Sequence, residues 1–257
     1  MSSAWLHQCG SLGWRTIHLL VIFMLLCNCT VMAQNSLSSG FVQQDSTNPI
    51  NQHQINILLL GDSLTAGWTM SGRAIHSYGI QLQKQLIGRG YDAQVEIRGI
   101  PGEAVLDSMT QTTRVILDNA ECLDRHFDYA IVLAGTNDVF HGYPPHKIMG
   151  GLKTIYERIW KHGAKIMALT MPEYDWDRVN HNEPHRIEVN ALLRNFTSEQ
   201  KSLDLQLYDF AHAFPLRSLD AVTRKKLWDS DRIHPSVYGY DVMGDMIYVA
   251  FQRLLRS

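Results

Sequence analysis

The stretch INILLLGDSLTAGW, Ile55–Trp68, opens with the apolar run Ile57-Leu58-Leu59-Leu60 and closes it with Gly61. A short continuous apolar run suits a strand buried on both faces of a parallel sheet. Asp62 and Ser63 follow where that strand ends. In open α/β sheets, ligands bind just beyond the carboxyl ends of the strands. A serine there can act as a nucleophile if a base reaches it. The same Asp-Ser pair could equally cap a following helix. The α/β-hydrolase elbow G-x-S-x-G is absent around Ser63, so that fold is not the expected one.

Working outward from this strand, strand and helix patterns alternate to the end of the chain. Apolar β runs lie at Val95–Ile97, Asp128–Ala134, Ala164–Thr170 and Leu205–Tyr208. Helical spacing covers Tyr78–Gly90, with Ile80, Leu82, Leu86 and Ile87 as the expected apolar side. It recurs at Ala104–Leu117, Ile148–Trp160, Arg186–Gln200 and Val237–Leu255. Alternation of this kind implies a parallel sheet with right-handed crossovers. The expected architecture is a three-layer α/β/α sandwich on a five-stranded parallel sheet, spanning residues 53–257 as one domain.

The segment before that domain reads differently. Arg15 precedes an apolar run from Ile17 to Cys27, and Val31-Met32-Ala33 follows. Charge, apolar region and small-residue site are the pattern of a secretory leader. Residues 1–33 are therefore expected to be a signal peptide, with a membrane anchor at residues 17–33 as the alternative. Residues 34–52, rich in Asn, Gln and Ser, read as a disordered linker. The expected location is secreted or extracytoplasmic. Of the four cysteines, only Cys122 lies beyond the leader, and a buried thiol is expected there. Asn195-Phe196-Thr197 is a glycosylation acceptor in a eukaryotic host. The net charge of −2 gives no reason to expect a nucleic-acid partner. A monomer acting on a small molecule is the expected state.

In a parallel sheet every strand-to-helix loop opens on one edge. The second loop, Arg98-Gly99-Ile100-Pro101-Gly102-Glu103, can expose backbone N–H groups, although it also reads as an ordinary tight turn. The third, Gly135-Thr136-Asn137-Asp138, places the side-chain donor of Asn137 at that edge, or else caps a helix. Near the chain end, Asp231 and His234 are three residues apart in Asp231-Arg232-Ile233-His234-Pro235. One turn brings that carboxylate to the imidazole, leaving the other ring nitrogen for a serine. His181-Asn182-Glu183-Pro184-His185 has no metalloprotease pattern and is read as a solvated loop.

Taken together, GDSLTAG, the glycine of the second loop, GTND and DRIHP resemble the SGNH hydrolases, the GDSL esterases and lipases. The resemblance implies a flavodoxin-like fold and a serine esterase acting on lipid, acyl or acetylated-carbohydrate esters through an acyl-enzyme. It implies Ser63 as nucleophile, with Asp231 and His234 completing the triad. It also implies an oxyanion hole from the Ser63 N–H, the Gly102 N–H and the Asn137 side chain, with no metal and no cofactor. One departure is Arg98, where many members carry Asn. Two alternatives keep the same residues: an acyltransferase using the same serine, and an inactive carbohydrate- or lipid-binding relative. Tyr174 and Trp176, in Met171–Pro184 after the fourth strand, are candidates to line the substrate pocket.

Overall fold

The computed structural model describes residues 54–175, 182–200 and 204–256. The expected leader, the linker and Trp176 lie outside them. In chain order the strands are β1 (Ile55–Gly61), a short antiparallel pair β2 (Trp68–Thr69) and β3 (Ala74–Ile75), β4 (Ala93–Gly99), β5 (Tyr129–Leu133), β6 (Lys165–Leu169) and β7 (Leu205–Tyr208). The main sheet runs β4-β1-β5-β6-β7, with every neighbouring pair parallel. Numbered along the sheet's own strands this is the order 2-1-3-4-5. The order reverses at β1, which makes the carboxyl ends of β4, β1 and β5 the place for a ligand.

The helices are α1 (Ser63–Ala66), α2 (Tyr78–Gly88), α3 (Thr110–Cys122), α4 (Thr136–Phe140), α5 (Pro145–Lys161), α6 (Glu183–Glu199), α7 (Phe210–Ala213), α8 (Ala221–Leu227) and α9 (Val237–Leu255). Right-handed crossovers on a sheet that reverses at β1 send α2 to the face opposite α3 and α5. The packing follows: α2 lies against α9, whereas α5 packs on α3 and α6. Ile57 to Leu60 of β1 are all fully buried between these layers.

Local detail departs from the sequence pattern in places. In α2 the buried stripe is Tyr78, Gly79, Leu82 and Leu86, while Ile80 and Ile87 are about half exposed. Residues 78, 82 and 86 recur at every fourth position and share one face; 80 and 87 fall off it. The helix expected from Ala104 begins as one wide turn, Val105–Met109, before α3. Cys122 is exposed rather than buried. Its helix turns Thr113, Leu117 and Ala120 inward, and a residue two beyond Ala120 points away from that face. Among the described residues no helix is long and apolar enough to cross a membrane.

Candidate active site

Ser63 opens α1 directly after β1, on a turn built by close backbone approach. Gly61 and Gly99 end paired strands side by side. A Cβ on Gly61 would lie 2.2 Å from the Leu133 carbonyl oxygen, and one on Gly99 2.1 Å from the Ala66 nitrogen. Only glycine fits at either position. Asp62 caps the turn, its Oδ1 accepting the Leu64 N–H at 2.9 Å.

His234 arrives from the other end of the chain. Trp228 and Pro235 form an antiparallel bridge that closes a small loop at its base, with the Asp229 N–H donating to the His234 carbonyl at 2.8 Å. Trp228 is buried against Phe214, their ring centroids 5.0 Å apart. Inside this loop His234 Nδ1 lies 2.8 Å from Asp231 Oδ2, and His234 Nε2 lies 2.8 Å from Ser63 Oγ. Asp231 Oδ1 also accepts the N–H groups of Ile233 and His234, at 2.9 and 3.0 Å. The fold thus brings three residues spread over 171 positions of sequence into one hydrogen-bonded row.

The neighbouring loops supply donors. Among the described residues no protein acceptor takes the backbone N–H of Ser63 or of Gly102. Gly102 has φ +81°, and a Cβ there would meet nothing within 4 Å, so the space beside it is open. Asn137 stands at the start of α4, its Nδ2 donating to the Glu103 carbonyl at 2.9 Å. The amide carries a second N–H. Asp138, fully buried, accepts the N–H groups of Val105 and Leu106 at 2.7 and 2.9 Å. The third loop therefore grips the second at two points, one of them Asn137 itself.

A family model for GDSL-like lipases and acylhydrolases matches residues 59–242. The chain belongs to this family. An arylesterase from Vibrio mimicus is 28% identical over 120 residues, which is 46% of this chain and 56% of that relative, so the match spans little more than half of its length. Two solved structures share the fold: a lipase/acylhydrolase from Enterococcus faecalis, with TM-score 0.63, 19% identity and coverage of 77% of this chain and 95% of that one; and a carbohydrate acetylesterase family member from Sinorhizobium meliloti, with TM-score 0.58, 18% identity and coverage of 78% and 99%.

In this GDSL-family chain two aspartates flank the serine–histidine pair, with their carboxyls shifted in opposite directions. Burial opposes ionisation of Asp231, but the hydrogen bonds from the His234 ring and from the N–H groups of His234 and Ile233 outweigh it and hold its carboxyl below the ordinary range. Burial pushes Asp62 up to about 6, against the lowering effect of the Leu64 N–H. Thr136 lies close enough to lower it further, yet Asp62 Oδ2 has no hydrogen bond of good geometry. Burial likewise raises Asp138, opposed by its two N–H donors.

Two expectations read from the loop sequences need correcting. Tyr174 is no platform for a substrate: it is 0% exposed, its hydroxyl is 2.7 Å from that of Thr136, and its ring packs near Phe140. It braces the third loop from below. Glu183, read as part of a solvated loop, starts α6 and holds Arg186 at 2.6 Å and Arg217 at 3.1 Å. Pro184 falls in the first turn of that helix, where a missing N–H costs nothing. Arg98 turns to Glu96 at the sheet edge, 2.6 Å away, with its side chain half exposed.

Some neighbours of the site carried no signal at long range. Arg232, between Asp231 and His234, has φ +54°. It is held by an ion pair of 2.6 Å with Asp175 and by the Asp175 N–H, which donates to its carbonyl at 3.1 Å. Trp68 lies five residues after Ser63, and its ring centroid is 6.3 Å from that of His234. The signal for Trp68 was its place in the opening stretch, an aromatic directly after a turn glycine.

Proposed function

We propose that the chain is a serine esterase that cleaves carboxylic esters through an acyl-enzyme. The observation that carries this reading is the row Asp231–His234–Ser63, with 2.8 Å at each side-chain contact. His234 Nε2 takes the proton of Ser63 Oγ as that oxygen bonds to the ester carbonyl carbon. The carbonyl π pair moves to oxygen, giving a tetrahedral oxyanion that the Ser63 and Gly102 N–H groups and the Asn137 amide would hold. The pair returns, the bond to the alcohol oxygen breaks, and His234 hands that oxygen the proton. Water repeats the sequence, releasing the acid and restoring Ser63. Asp231 holds the imidazole by Nδ1 and offsets the positive charge it gains.

Membership of the GDSL-like family and the arylesterase relative support ester cleavage, and the relatives' described activities name the first substrates to try: aryl esters, acyl lipids and acetylated sugars. The test is covalent. An alkyl phosphonate should label the protein at Ser63, and Ser63→Ala should fold normally yet lose turnover by about 10⁶. Labelling at another serine would refute the assignment. The leader pattern of residues 1–33 supports export, with a mature protein beginning near Gln34; mass spectrometry of exported material checks it.

A further inference from the structure

His234 Nε2 has two tasks, and the second sorts the substrate's two ends. Its Nδ1 is taken by Asp231 at 2.8 Å, so Nε2 is the nitrogen left to protonate the departing oxygen. The carbonyl oxygen goes to the donors on the β4 and β5 loops. The alcohol part hangs from the oxygen that His234 serves, so what flanks His234 flanks the alcohol.

That neighbour is the β2–β3 hairpin. Trp68 is partly exposed, with its ring 6.3 Å from the imidazole centroid and tilted by 35°. On the same hairpin Met70 is 48% and Ile75 60% exposed. Within the hairpin Gly72 lies against the indole, where a Cβ would come 2.2 Å from its Cζ2. Two bonds from outside fasten the hairpin in this place. Tyr240 donates its hydroxyl to the Trp68 carbonyl at 2.9 Å. The Ser71 N–H donates to Asp229 of the loop that carries His234, at 3.0 Å. Met70 and Ser71 both sit at φ near +50°, at 52° and 54°, a conformation that costs energy in residues with side chains. Two strained residues in a row, tied to the loop of the catalytic base, mark a hairpin whose position matters.

Resting on the esterase reading, we propose that Trp68 determines leaving-group specificity: the hairpin favours esters whose alcohol part is a flat apolar ring. Aromatic pairs prefer offset or edge contacts and gain about 0.5–1.5 kcal/mol beyond area burial, which is up to about tenfold in kcat/KM.

The experiment compares phenyl acetate with a fluoroalkyl acetate whose alcohol is about as acidic as phenol, so that chemistry is matched and shape is not. The wild type should prefer phenyl acetate. Trp68→Leu keeps apolar bulk without a ring and should cut the phenyl-to-fluoroalkyl ratio of kcat/KM by about tenfold, chiefly through KM. Trp68→Phe should restore most of it, and acyl-length preference should not move in either variant. An unchanged ratio in Trp68→Leu, a loss not restored by Phe, or a change in acyl-length preference instead would overturn the proposal. A wild type that hydrolyses esters and labels at Ser63 but lacks the phenyl preference would overturn this proposal alone. A wild type that neither labels at Ser63 nor cleaves either ester would take the esterase reading down with it.

Discussion

The two halves of the site are held in place by different means. The turn that carries Ser63 grows out of the centre of the sheet, and backbone packing sets it: Gly61 under the Leu133 carbonyl, Gly99 against Ala66, Asp62 capping Leu64. The segment that carries His234 is irregular, and hydrogen bonds donated to carboxylates shape it. Asp231 binds the imidazole and two N–H groups, Asp175 holds the left-handed Arg232, and Asp229 reaches across to Ser71. The aspartates differ in how readily they ionise for the same reason. Asp231 has donors on both oxygens and stays ionised, while Asp62 has one donor and is buried, which favours its neutral form. At neutral pH both carboxylates are ionised, but donors hold the charge on Asp231 beside the histidine that becomes positive, whereas Asp62 beneath the serine takes up a proton below about pH 6. The lesson is that a nucleophile can be placed by backbone packing and a single cap, whereas a base that must gain charge needs a charged support.

If that contrast is right, the base side should be the more sensitive to loss of charge. Asp231→Asn should lower kcat by about 10⁴, measured on any ester the wild type turns over. Asn137→Ala removes one proposed oxyanion donor and should lower kcat by about 10²–10³ with KM little changed. Equal losses at the two positions would erase the distinction.

Stability probes the same contrast. Asp62 has its carboxyl raised by folding, so its favourable contribution is complete below about 3.8 and is lost as pH rises through about 6. That rise corresponds to about 3 kcal/mol. Between pH 4 and 7.5, urea unfolding of the wild type should therefore lose about 2 kcal/mol relative to Asp62→Asn, which keeps an oxygen for the Leu64 N–H. Asp231 carries the opposite sign: its lowered carboxyl adds stability above the ordinary carboxylate range, lost as pH falls through its folded value. Parallel pH slopes for wild type and Asp62→Asn would show that Asp62 ionises freely.

The smallest effect expected is at the clamp. Asp175→Asn keeps the backbone bond to Arg232 but loses the charge, and hydrogen bonds to charged groups contribute about 1.5 kcal/mol. A fall of about tenfold in kcat, with KM little changed, should follow. An unaltered kcat would mean that the Trp228–Pro235 bridge shapes the segment unaided.

Much of this was legible in the chain. A buried parallel strand needs an unbroken apolar run, so Ile57–Leu60 marked β1, and the alternation after it marked the sheet. Ser63, Asn137, Asp231 and His234 stood in short local motifs, and Gly102 was singled out only by the resemblance to the SGNH hydrolases. Tyr174 was misjudged because an aromatic in a loop after a strand has two fates, core or pocket, and the hydroxyl of Thr136, 38 positions away, decided for the core. The charges of the aspartates were equally hidden. Asp62 and Asp231 are one residue type in two short polar motifs, and burial by distant residues separates them.

By itself, then, the sequence determined which residues can do chemistry and the succession along the chain of the strands that deliver them, because both rest on local pattern. Tertiary structure alone decided that Trp68 stands beside His234, that Asp175 holds Arg232, and which aspartate resists ionisation. Those are contacts between residues roughly 57 to 166 positions apart, and solvation at such contacts is set by the whole fold rather than by neighbours in the chain.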